Sequence, residues 1–372
     1  RDMIFIAYPL AELLTVSFFG ILADKIGRKI VYFIGLGVTG LSVLLFAFVS
    51  NFAFLIVISC ILGIGAGAKV ASTLAIVADE APEDKRGRYM GFYDAMTLLG
   101  LGVGFGGGFL LLEIRFDDFI PESSTVLRRL LYHDPKVWFL TAAIILIISL
   151  ILAVILLRKK VFQSSLIRDE SFLTKFKVII KEKSIRYLLP VWVPIICLYA
   201  IILRSAETLA SQLELHDISL LVVLIIIFAS ILIGFPLNGL LSDRIGRKPF
   251  LYVGMFSFAA FVTLLVSFAN NSRMLLYLSP LLLIIGIGCG AFPPAALALL
   301  ADLTEKERYG STMGVYSVVY GTGMVIGPLL SRLAGGATSE RLWGILILIW
   351  LLCTTSVVGT FVFPKDMIKR KI

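Results

Sequence analysis

The chain has 372 residues, of which 59% are hydrophobic and only 16% charged, and its mean hydropathy is +0.97. Soluble globular domains carry about a quarter charged residues, so this composition excludes one and describes a polytopic helical membrane protein. The net charge of +9 does not mark a nucleic-acid surface. Most lysines and arginines fall in short clusters after every second apolar run, where the positive-inside rule places cytoplasmic loops.

Crossing a bilayer takes roughly 20 apolar residues. Runs of that kind predict spans at 3–22, 30–50, 53–79, 88–112, 137–158, 188–209, 218–241, 249–269, 274–302, 311–334 and 342–363. The ~10-residue alternation of barrel strands is absent. The count is odd and the chain starts on arginine, which leads to the expectation of a further span before the first and of both native termini in the cytoplasm. The first span runs into GILADKIGRK (Gly20–Lys29) and the seventh into GLLSDRIGRK (Gly239–Lys248), identical at seven of ten positions. Glu12 falls mid-way along the first span, Lys69 near the middle of the third, and Asp94 about two turns inside the fourth. Arg204 and Glu207 stand three apart in the sixth, on one helix face.

A polar outer segment, 113–136, and a charged connection, 159–187, are the longest breaks. The second separates an N-terminal bundle, 1–158, from a C-terminal one, 188–372. These halves repeat: with an offset of 223, Gly63–Gly104 matches Gly286–Gly327 at 15 of 42 positions, Asp79/Asp302, Gly87/Gly310 and Tyr93/Tyr316 among them. Same-orientation repeats are related by an axis along the membrane normal. The four cysteines lie in apolar runs without paired spacing, and His133 and His216 are far apart. Neither a disulfide framework nor a metal site is expected. With no metal cluster and no nucleophile motif, an enzyme is not expected, and no cofactor is called for. Gly102, Gly104 and Gly107 satisfy G-x-G-x-x-G but follow no strand, so a nucleotide site is rejected. Close helix packing is the expected use of these glycines.

The doubled turn, G-x-x-x-D-[RK]-x-G-R-[RK], resembles the signature of the major facilitator superfamily of secondary transporters, and the resemblance covers essentially the whole chain. It implies an all-α membrane fold of two pseudo-symmetric six-helix bundles. It also implies a cytoplasmic gate built from Gly20, Asp24, Gly27, Arg28 and Asp79 with Gly239, Asp243, Gly246, Arg247 and Asp302. Asp24 would face the helix start near Gly310, Asp243 the start near Gly87, and Arg28 and Arg247 would pair with Asp79 and Asp302. Two departures matter. Ser59 stands where the family's fourth helix usually carries an arginine, and Phe105 and Phe109 replace proline and glycine in the fifth-helix motif often linked with antiporters.

The repeat supplies an internal control. Glu12, Lys69 and Asp94 align with Ile231, Phe292 and Ser317, so the architecture does not require them. A charge at span depth costs ~2.5–3.5 kcal/mol on insertion scales and is a functional-site hypothesis by default. Lys69, Arg204, Tyr316 and Tyr320 are candidates for holding a small organic solute, anionic if both cations face the cavity. Carboxylates in low dielectric hold protons more tightly, which makes Glu12, Asp94 and Glu207 proton-coupling candidates. The expectation is a monomeric, proton-coupled carrier in the plasma membrane, with drug or metabolite efflux as one alternative and a non-transporting sensor as another.

Overall fold

A computed structural model describes residues 2–106, 135–157, 189, 191–193, 197, 218–268, 271–333 and 342–361. The 159–187 connection, the 113–134 outer segment, His133 and His216 lie outside them. The described elements are helices: α1 (Asp2–Ile26), α2 (Arg28–Phe46), α3 (Phe52–Glu80), α4 (Arg86–Leu101), α5 (Pro135–Leu156), α6 (Ile218–Ile245), α7 (Arg247–Ser267), α8 (Ser272–Tyr277), α9 (Ser279–Cys289), α10 (Phe292–Leu303), α11 (Tyr309–Leu333) and α12 (Leu342–Phe361). Lipid offers backbone groups no partners, so spanning segments pair them within a helix. Among the described residues, six stretches are long and apolar enough to cross a membrane. The chain is a multi-pass, all-α membrane protein.

It divides into two compact units. The first takes residues 1–76, 100–179 and 306–318, and the second 77–99, 180–305 and 319–372. In the first unit α2 packs along α5, with Phe46 and Phe139 stacked at 5.5 Å. Ala23, Val31 and Ala68 form a small core there with Phe19 and Leu22 against it. Close approach of α2 to α3 depends on Gly35, where a Cβ would lie 2.6 Å from the Lys69 amide nitrogen. Small residues of this kind do in lipid what hydrophobic burial does in water.

In the second unit α6 packs on α9, and α7 packs on α9, α10 and α12. The core includes Val223, Phe258, Phe261, Leu275, Leu282 and Ile349. Two spans differ from expectation. The expected 274–302 span is three pieces, α8, α9 and α10. Gly290 and Ala291 tighten the chain with amide bonds to Ile287 and Gly288 (3.2 and 3.0 Å). Pro293 and Pro294 then open α10, where their missing N–H groups leave two preceding carbonyls outside the helical ladder. Asn238 Nδ2 crosses from α6 to donate to Ile287 O and also to Gly234 O, each at 2.7 Å. In the first half Val70 and Ala71 replace the prolines, and α3 runs unbroken past Lys69. The second difference is at Gly102–Gly106, a π-helical turn. A Cβ on Gly104 would meet nothing within 4 Å among the described residues.

Candidate functional site

The doubled motif builds one clamp in each unit. In the first, α1 ends at Ile26 and Gly27 turns the chain at φ 104°, a region glycine enters without a Cβ clash. Asp24, one turn earlier, is almost wholly buried. Its Oδ1 accepts from Gly310 N at 2.8 Å and its Oδ2 from Ser311 N at 2.7 Å, while the Ser311 hydroxyl also donates to Oδ2. Arg28 donates to Asp24 at 3.3 Å and to the Lys306 carbonyl, and its guanidinium lies 5.4 Å over the Tyr309 ring. The carboxylate therefore caps the first turn of α11. There it gains roughly 0.3–1 kcal/mol, up to ~2 when partly buried.

The second clamp follows the same plan. Gly246 turns at φ 113°, and Asp243 accepts from Gly87 N (2.8 Å) and Arg88 N (2.9 Å) at the start of α4. Arg247 donates to Asp243 at 2.6 Å, to the Ser242 hydroxyl at 2.9 Å and to Asp302 at 3.2 Å. Asp302 also receives Arg86 at 3.0 Å. Helix approach is equally tight in both clamps. A Cβ on Gly310 would lie 2.5 Å from Gly20 O, and one on Gly87 the same distance from Gly239 O. Asp79 stands in the last turn of α3, in the second unit.

Sequence reasoning named Asp24, Asp243 and the two motif arginines but missed Arg86, Ser242, Tyr309 and Ser311. Arg86 was visible only as part of a basic cluster, where topology sufficed to explain it. Ser311 follows Gly310 in the repeat, and its position after a helix-opening glycine was the available signal.

Within the first unit, α1 and α3 bring Glu12 and Lys69 together. A Cβ on Gly67, two residues before Lys69 on α3, would lie 3.3 Å from Glu12 O. Both residues are half-buried and within electrostatic reach of each other, and Tyr8 stands beside Glu12 one turn away. Tyr316 is half-buried on α11 in this unit, whereas Tyr320, one turn on, is exposed and counted with the second. Asp94 lies on α4, and its Oδ2 is shielded from solvent. Arg204 and Glu207 fall outside the described residues. Among the described residues no group of three or more His, Cys, Asp or Glu is placed to hold a metal.

The chain belongs to the Major Facilitator Superfamily, whose family model matches residues 2–235 and 205–371. It is 30% identical over 136 residues to the Quinolone resistance protein NorA of Staphylococcus aureus (strain MRSA252), covering 35% of each chain. It is 32% identical over 104 residues to Multidrug resistance protein 3 of Bacillus subtilis (strain 168), covering 28% of this chain and 20% of that one. The matches thus span about a third or less of these curated relatives. The fold is also that of the E. coli fucose:proton symporter FucP (16% identity, TM-score 0.65, 96% of this chain and 90% of that chain). The human organic anion transporter MFSD10 shares it too (18%, 0.67, 96% and 82%).

Proposed function

We propose that the protein is a secondary active transporter that moves a small organic solute across the plasma membrane by alternating access, coupled to protons. The observation that carries this reading is the pair of matched clamps, each a carboxylate closing on the start of a helix from the other half of the chain. Such contacts, worth a few kcal/mol, are enough to shift a two-state population substantially. In this reading bundles 1–158 and 188–372, joined by 159–187, rock about a central cavity in a monomer whose native termini are both cytoplasmic. The clamps are the latched positions of the cytoplasmic gate. Lys69, Arg204, Tyr316 and Tyr320 hold the solute, and a carboxylate among Glu12, Asp94 and Glu207 carries the proton.

Glu12 and Lys69 support the assignment because they sit together at span depth in one unit and are replaced by Ile231 and Phe292 in the repeat. Such pairs mark pathways in membrane proteins. The likeness to proteins named for quinolone and multidrug resistance favours efflux by antiport over uptake. The test is solute and proton flux in liposomes holding the protein, with imposed pH gradients and pools of organic anions, sugars and cationic drugs. Solute-driven proton movement that Lys69→Ala reduces on the order of tenfold, or 1.4 kcal/mol, is expected. Ligand binding without movement of any solute would overturn transport in favour of a sensor.

A further inference from the structure

Asp94 is separated from its repeat partner by more than charge. Ser317, the partner, satisfies its hydroxyl on its own helix through Met313 O at 3.0 Å. Asp94 Oδ2 is buried and has no hydrogen-bond partner among the described residues. A buried polar atom left in that condition needs an explanation.

The helix register points to one. Gly87 and Gly91 face α6 so closely that a Cβ on Gly87 would lie 2.5 Å from Gly239 O, and one on Gly91 would lie 3.0 Å from Pro236 Cα. Position 94 is seven residues beyond 87, nearly two full turns, and returns to the same face. Extending the antiparallel pairing from 87/239 and 91/235 brings Asp94 level with Leu232. Leu232 lies seven residues before Gly239 and so also faces α4. Its carbonyl is the one that residue 236 would bond in an unbroken helix, and residue 236 is proline, within α6, with no N–H to give. The structure thus brings a carboxyl atom without a donor level with a main-chain acceptor without its ladder bond.

We infer that Asp94 is a proton site whose acid hydroxyl donates to the Leu232 carbonyl, making the contact between α4 and α6 depend on protonation. With the proton on, donor and acceptor match. With it off, a carboxylate confronts a carbonyl oxygen, and among the described residues Asp94 Oδ2 has no hydrogen-bond donor to relieve it. From α6 no titratable side chain lies between Ile218 and Ser242, and among the described residues no charged group acts on Asp94 electrostatically. The charged groups further along both helices, Arg86, Arg88, Asp243 and Arg247 with Asp302 of α10, belong to the second clamp. Tyr93 is the neighbouring titratable residue on α4. Loss of the proton would therefore loosen α4 from α6 nearly two turns along from the clamp contact at Gly87. This inference rests on the proton-coupled reading and names the group that would link proton to gate.

The probe is the proton itself. Infrared difference spectra of the purified protein across a pH step should contain a carboxylic-acid C=O band that shifts in D2O, disappears in Asp94→Asn and persists in Glu12→Gln. Pro236→Ala, which restores an N–H to the Leu232 carbonyl, should shift the band towards that of a less strongly hydrogen-bonded acid. Absence of the band, or its survival in Asp94→Asn, overturns the assignment of the proton to Asp94. A band indifferent to Pro236→Ala overturns the Leu232 acceptor. The flux assay separates the two readings: an Asp94-dependent band in a protein whose solute movement ignores the pH gradient retains the proton site and removes the coupling.

Discussion

Asp302 receives two arginines, Arg86 at 3.0 Å and Arg247 at 3.2 Å. In the repeat Arg86 corresponds to Tyr309, and the motif arginine of the other clamp, Arg28, lies over that ring. One clamp is thus a four-charge net, whereas the other adds an aromatic face to its ion pair. A cation–π contact contributes about 0.5–1 kcal/mol when exposed and ~2 or more when desolvated. Tyr309→Ala is expected to lower the thermal stability of the detergent-solubilised protein by an amount in that range, and Tyr309→Phe to restore most of it. Arg86→Ala leaves Asp302 with Arg247 alone and should cost about 1–3 kcal/mol, as removal of a charged hydrogen-bond partner does. A double-mutant cycle of Arg86 and Arg247 should show them coupled through Asp302, since neighbours in one network are not additive.

At the scale of the helices, the turn glycines and the broken α9–α10 stretch carry the expectations. Gly27→Ala and Gly246→Ala place a Cβ on backbone at φ 104° and 113°. A non-glycine residue held in a sparsely populated region costs of order 1–3 kcal/mol, so each variant should unfold at a lower temperature than wild type. Asn238→Ala removes the amide that crosses to Ile287 O. It should destabilise by about 1–3 kcal/mol if that carbonyl is left dry, and increased hydrogen exchange at the α9–α10 junction would report it. The repeated turn was legible because Asp24 and Asp243 recur with Gly27 and Gly246 at fixed spacing, so a local rule sufficed to place them. The break at Gly290–Ala291 was not, although GAFPPA is plain in the sequence. Bundled membrane helices tolerate glycine and proline where neighbours re-satisfy the freed groups, so hydropathy alone reads through them. The partners Tyr309, Ser311 and Arg86 were hidden for a different reason: their contacts join residues more than 200 positions apart.

For the whole molecule, the two clamps share no residue and fall in separate compact units. Asp24→Asn and Asp243→Asn should therefore act additively on stability, within the few tenths of a kcal/mol usual for independent sites. If both latch one gate, their effects on transport should not be additive, because either broken latch already biases the same two-state equilibrium. Comparing the single and double variants in both assays distinguishes two structural caps from two parts of one gate.

Each clamp is completed by residues made at different times. Asp24 waits for Gly310, 286 positions later, and Gly87 waits for Asp243, 156 positions later. During synthesis the first half of the chain is made with Asp24 beside Arg28, while its donors on α11, Gly310 and Ser311, do not yet exist. Until α11 arrives, Asp24 has to be met by Arg28 and water or be shielded by an insertion factor. Chains cut short before residue 310 should consequently be targets for membrane quality control, however apolar their spans. The order of translation is thereby tied to the clamp: the contact that caps α11 in the finished protein is also the one that marks its assembly as complete.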